Sequence, residues 1–180
     1  MRRLLIAASL LFARGALAEP DDAKAFRDFV TKSAEEDKRW ISEWYATNLD
    51  GDAAQERVAV LCSPPSDDPK GYFIIEKDPT HRWELTFDVD SRTRACKGKA
   101  GDAPKWESRK TNAIELYQGH LAGHESTSYA LRLGQPVIVR EEETDDDAKK
   151  ATVKDWDQLV KKKKAKYQAP DRLRQLNNVE

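Results

Sequence analysis

An α+β domain is predicted from three features of the sequence. Apolar residues recur at helical spacing near the N-terminus, short β-type runs divided by turn residues fill the middle, and the C-terminal part combines capping aspartates with lysines. The expected architecture is an N-terminal amphipathic helix packed on an antiparallel sheet of about seven short strands. That sheet curls into a sandwich or open barrel, and a C-terminal helical tail follows. One domain is expected over 19–180, with a helix at 21–46, a β-rich body at 57–156 and the tail at 157–180.

Residues 1–18 read as a signal peptide and are set aside from the fold. Arg2 and Arg3 supply the positive end, Leu4 to Phe12 the apolar core, and Ala16-Leu17-Ala18 a small-x-small cleavage site. The apolar run is about half the ~20 residues needed to cross a bilayer, so no membrane span is expected. Export to a periplasmic or extracellular location follows. The chain carries 31 Lys and Arg against 32 Asp and Glu. Losing Arg2, Arg3 and Arg14 with the signal leaves the mature protein mildly acidic, which argues against nucleic-acid and anionic-membrane partners. Charged residues make up 35% of the chain, which implies solvated faces around a modest core. Trp40, Trp44, Trp83, Trp106 and Trp156 can each bury a large area, so a folded domain is expected.

In the first element, Phe26, Phe29, Val30, Trp40, Ile41, Trp44 and Tyr45 fall at steps of three and four, one stripe of a helix. Asp21 and Asp22 suit its start, and weaker patterning between Ser33 and Lys38 allows a bend or two shorter helices. The strand candidates that follow are RVAVLC, YFIIEK, RWELTFDV, AIELYQG, STSYALRL, PVIVREEE and ATVKDW. Proline, glycine and aspartate turns separate them, and connections this brief favour antiparallel hairpins. Trp83, Leu85 and Phe87 alternate onto one face. The acidic run Glu141 to Asp147 reads as a hairpin tip. Asp155 or Asp157 caps the tail helix, and Lys161 to Lys164 lie near its end, where positive charge is favoured.

Cys62 and Cys96 are the two cysteines of the chain. In an oxidising compartment they read as one disulfide, the alternative being a catalytic thiol.

The stretch NLDGDAAQERVAVLC, Asn48 to Cys62, places side-chain oxygens at Asn48, Asp50, Asp52 and Glu56, spaced as positions one, three, five and nine. Hard cations take six to eight such oxygens, with backbone carbonyls and water completing the shell. This spacing resembles the calcium loops of the FG-GAP and VCBS repeat families of extracellular proteins, in which an acidic loop precedes a β-strand. The resemblance covers about a dozen residues and implies one structural Ca2+. Asn48 stands where those loops carry aspartate, and Ala53 where they carry glycine. The other reading of the stretch is an acidic Asp-Gly turn with no metal.

A second constellation, QGHLAGHESTSY, offers His120, His124 and Glu125, which are ligand types of zinc and partners for acid–base chemistry. Neither the H-E-x-x-H pattern nor its inverse is present, and no nucleophile elbow, phosphate loop or dinucleotide fingerprint occurs. The expected function is an exported noncatalytic binding or structural module for an unknown protein or envelope ligand, with calcium a candidate stabiliser. The alternative is a secreted hydrolase-like enzyme using His120, His124 and Glu125.

Overall fold

The computed structural model describes residues 21–90, 93–96, 104–120, 122–145 and 147–176, with backbone alone for Asp21, Asp22 and His120. Residues 1–18, expected from the sequence to be a signal peptide, lie outside these residues. Among the described residues there are ten strands and two helices: α1 (Asp21–Glu36), β1 (Trp40–Thr47), β2 (Glu56–Cys62), β3 (Lys70–Asp78), β4 (His81–Asp88), β5 (Trp106–Ser108), β6 (Ile114–His120), β7 (Gly123–Arg132), β8 (Gln135–Asp145), β9 (Lys150–Asp155), α2 (Trp156–Lys161) and β10 (Leu173–Leu176). They form a six-stranded sheet ordered β10-β4-β3-β2-β1-β5 and a four-stranded sheet ordered β6-β7-β8-β9. Every pairing is antiparallel except β1 with β5, which is parallel. Neither sheet closes, and the strands divide between two sheets where the sequence pointed to one. The seven expected strands are all present, and β1, β5 and β10 are additional.

The N-terminal element departs from the single helix expected over 21–46. The helix stops at Glu36, and Trp40, Ile41, Trp44 and Tyr45 belong to a strand. Lys38 takes a left-handed conformation (φ 54°), with Arg39 N–H donating to the Ala34 carbonyl and Lys38 N–H to that of Glu35. This is a Schellman stop, usually marked by glycine. Here lysine fills the position, so the sequence carries no visible end signal. A spacing of four returns to the same side in a helix and in a strand alike, which is why Trp40 and Trp44 fitted the helical stripe. The strand also contains a bulge between Ile41 and Glu43. It moves Trp40 and Tyr45 to one side of the sheet, and Ile41 and Trp44 to the other.

The tail also departs from the helical one expected over 157–180. α2 covers six residues, capped as expected by Asp155, whose carboxylate accepts the Gln158 N–H at 2.9 Å. It ends in a second lysine-based Schellman stop: Lys163 has φ 56°, Lys164 N–H reaches the Leu159 carbonyl and Lys163 N–H that of Val160. The chain then returns as β10 along β4, so 157–180 is not a helical tail. The acidic run is also placed differently, since Glu141 to Asp145 continue β8 and pair with β9 before the turn.

The two larger core clusters lie on the two faces of the first sheet. Phe26, Val30 and Ala34 of α1 pack on Ala59, Leu61 and Ile74 of the first sheet. On the opposite face Val58, Val60, Phe73, Ile75, Trp83, Leu85 and Phe87 meet Ile114, Leu116, Tyr129 and Leu131 of the second sheet. Gly71 is required here, because a Cβ at that position would lie 2.2 Å from the Phe87 ring. Cys62 and Cys96 form the disulfide, with Cα atoms 5.9 Å apart across 34 residues of sequence.

Candidate functional site

Where β6 passes over the first sheet, its edge leaves a cleft of about 560 Å³. Val60, Phe73 and Tyr45 supply the floor from β2, β3 and β1, because alternation sends these residues toward the second sheet. Glu115 and Tyr117 of β6 form one wall. Arg94 and Ala95 close one end, beside the disulfide, and Arg109 and Thr111 the other. The β1 bulge contributes directly, since the Ser42 hydroxyl donates to the Ala95 carbonyl at 3.2 Å and fixes that end.

Each arginine of the cleft lies on a tyrosine ring. The Arg109 guanidinium sits 3.8 Å from the Tyr45 ring centre and that of Arg94 sits 4.0 Å from Tyr117. Arg109 is held by the carboxylates of Glu43 and Glu107. Burial pushes the Tyr45 phenol well above its ordinary range, with the Arg109 charge opposing this and Glu43 adding to it. The phenol is therefore a hydrogen-bonding group and not a base at neutral pH. Polar side chains supply more of the exposed lining than the apolar floor does, so the cleft suits a ligand that carries polar or charged groups. None of Glu43, Tyr45, Arg94, Arg109, Glu115 and Tyr117 stood out in the sequence. They lie on four separate segments, and no local pattern links them.

The acidic loop after β1 brings part of the expected ligand set together. One oxygen each from Asp50, Asp52 and Glu56 lies within 4.8 Å of the others. Asn48 instead serves the turn: its side-chain oxygen accepts the Gly51 N–H at 2.6 Å and its amide donates to the Asp52 carbonyl. Asp50 and Asp52 also cap backbone N–H groups, at Asp52 and Ala54. A positive charge already faces the group, because Lys77 donates to Asp50 at 2.6 Å and lies 3.9 Å from Asp52. Burial alone would raise Asp50, but the Lys77 bond and the Asp52 N–H hold its carboxyl below the ordinary value. Glu56 goes the other way: burial pushes it up, the Leu49 N–H opposes this, and the charges of Asp50 and Asp52 add to it.

The loop is also a joint between the sheets. Leu49 is buried, and its carbonyl accepts the Leu131 N–H at 3.1 Å and the Arg132 guanidinium at 2.9 Å. Arg132 continues to both oxygens of Asp157, at 3.1 and 2.8 Å, and the Tyr167 hydroxyl donates to Asp157 at 2.7 Å. The loop therefore joins β1 to β2 and, through Leu49 and Arg132, the first sheet to the second.

The histidine constellation sits at the β6–β7 hairpin, with His120 opposite Gly123 and His124 opposite Gly119. His124 and Glu125 are adjacent in a strand and point to opposite faces. The His124 ring stacks on Tyr117, with centres 5.1 Å apart, and its Nε2 lies 3.2 Å from the Thr144 hydroxyl. No serine nucleophile or further carboxylate joins His124 at hydrogen-bond distance among the described residues. No protein-family model, curated protein or solved structure matches this chain.

Proposed function

We propose that this protein is an exported, noncatalytic binding module whose ligand occupies the cleft between the two sheets. The observation that carries this reading is the cleft itself, with an apolar floor, two arginines stacked on tyrosines and two carboxylates converging on one space. Export is supported by the character of residues 1–18 and by the Cys62–Cys96 disulfide, a bond characteristic of oxidising compartments. No helix among the described residues is long and apolar enough to cross a membrane.

A thermal-shift panel of carboxylates, sugars and short peptides tests the cleft. A hit should raise the melting temperature of the wild-type chain and lose its effect in Tyr117→Ala. Hits that survive that substitution would place binding elsewhere and sink the reading.

A second reading, one structural Ca2+ at the acidic loop, is favoured by the convergence of Asp50, Asp52 and Glu56. The Lys77 ammonium competes for that position, so Lys77→Met should tighten calcium binding in calorimetric titration, and Asp50→Ala with Asp52→Ala should abolish it. Absence of binding at millimolar Ca2+ in both wild type and Lys77→Met ends the calcium reading.

A further inference from the structure

Among the described residues, β6 is an edge strand of the second sheet and runs along the cleft. In an antiparallel ladder the N–H and C=O of one residue point to the same side, and successive residues alternate. The Tyr117 carbonyl accepts the Arg94 N–H at 3.5 Å, so Tyr117 faces away from β7, and Glu115, two residues earlier, does the same. Among the described residues, the N–H and C=O of Glu115 and the N–H of Tyr117 find no partner. They open onto the cleft.

The other long edge differs. Residues 150–154 of β9 are exposed and include Lys150 and Lys154, charges of the kind that keep a sheet edge from pairing. The β6 edge has the floor and lacks that protection.

We propose that an extended segment of a partner polypeptide adds as a strand to β6 at Glu115, placing an acidic side chain against Arg94. This rests on the cleft reading and names the ligand class. An extended backbone supplies alternating donors and acceptors in register with those of Glu115 and Tyr117. The Arg94 main chain already occupies the edge at Tyr117, so the open stretch accepts a short segment of roughly three to five residues at ~3.3 Å each. Side chains of the added strand alternate between the floor and the solvent side.

The charge requirement comes from the arginines. Arg109 is held by Glu43 and Glu107, whereas Arg94 has no carboxylate partner among the described residues and sits over the Tyr117 ring. A guanidinium presented in that way fits a carboxylate with two parallel bonds. Glu115 repels a second carboxylate opposite itself, which confines the acidic side chain to the Arg94 end.

The test uses the full chain against an array of end-blocked hexapeptides randomised at every position, followed by fluorescence polarisation on those retained. Retained peptides should alternate apolar and polar residues and carry one acid. Arg94→Ala should weaken them about tenfold, the worth of a charged hydrogen bond. N-methylation at alternate peptide nitrogens should abolish binding, and the Glu115 amide should become protected from hydrogen exchange in the complex. Retention of no peptide, equal binding by the N-methylated forms, or indifference to Arg94→Ala each overturns the proposal. If the thermal-shift panel still finds a Tyr117-dependent ligand, the cleft reading stands while strand addition falls. Failure of both removes both.

Discussion

Glu56 shows how one side chain can hold a fold together at some cost. It is 1% exposed, accepts the N–H of Leu49, and lies beside Asp50 and Asp52. Its raised pKa means that ionisation opposes folding: the Glu56 contribution is fully present below the unfolded value near 4.5 and declines as pH rises through the folded one. Glu56→Gln keeps an acceptor for Leu49 and removes the charge. Its melting temperature at pH 7 should exceed wild type by a few degrees, with the gain gone below about pH 4. A lower melting temperature across the whole range would show that the charge is compensated, with Lys77 the nearest candidate.

At the scale of elements, both helices end on lysines in a left-handed conformation, Lys38 and Lys163. Each is exposed. A Cβ in that conformation costs on the order of 1 kcal/mol, which glycine avoids. Lys38→Gly and Lys163→Gly should therefore each stabilise by about 0.5–1 kcal/mol in denaturant melts. Destabilisation by either would mean that the lysine stem makes a contact worth more than the strain. The same pair explains which elements were legible. The seven internal strands were readable because proline, glycine or aspartate turns bound them and because Trp83, Leu85 and Phe87 alternate cleanly. The ends of α1 and α2 were not, because a Schellman stop without glycine leaves no mark in composition. β10 was hidden differently: Leu173 to Leu176 is a four-residue edge strand placed by pairing with β4 and by the Arg174–Glu84 ion pair, both distant in sequence.

Across the whole molecule, two fastenings decide how the sheets and the cleft sit. The disulfide ties 93–96, one end of the cleft, to β2. In the chain-entropy model a loop of this length contributes about 4 kcal/mol. Cys62→Ala with Cys96→Ala should lower stability by that order and loosen the Arg94 end, read as faster exchange at the Arg94 amide. Unchanged exchange there would mean that the Ser42 contact alone holds the wall. The second fastening is Arg132, which links Leu49, Asp157 and, through Asp157, Tyr167. Arg132→Ala should cost about 1–3 kcal/mol. The Arg132 bond, and then that of Tyr167, hold the Asp157 carboxyl below its ordinary value, so this stability is present above about pH 4 and lost as pH falls through the lower folded value. The deficit of the variant should therefore shrink in acid, and a pH-independent deficit would assign the loss to packing.

The linear sequence was enough to determine the local features. Strand runs show as period-two alternation, the N-terminal helix as Phe26, Phe29 and Val30, and the α2 cap as Asp155, because each depends on residues close together in the chain. It also placed Asn48, Asp50, Asp52 and Glu56 in one loop, although it could not show Lys77 arriving from β3 to face them. Tertiary structure alone decided the rest. Trp40 to Tyr45 became a strand because β2 offered a partner ladder, and the bulge that reverses their faces is set by that pairing. His124 and Glu125, neighbours in sequence, were separated by the pleat. Tyr45, Arg94, Arg109, Glu115 and Tyr117, distant in sequence, were brought to one cleft by packing sheet on sheet, an arrangement that no short window of residues encodes.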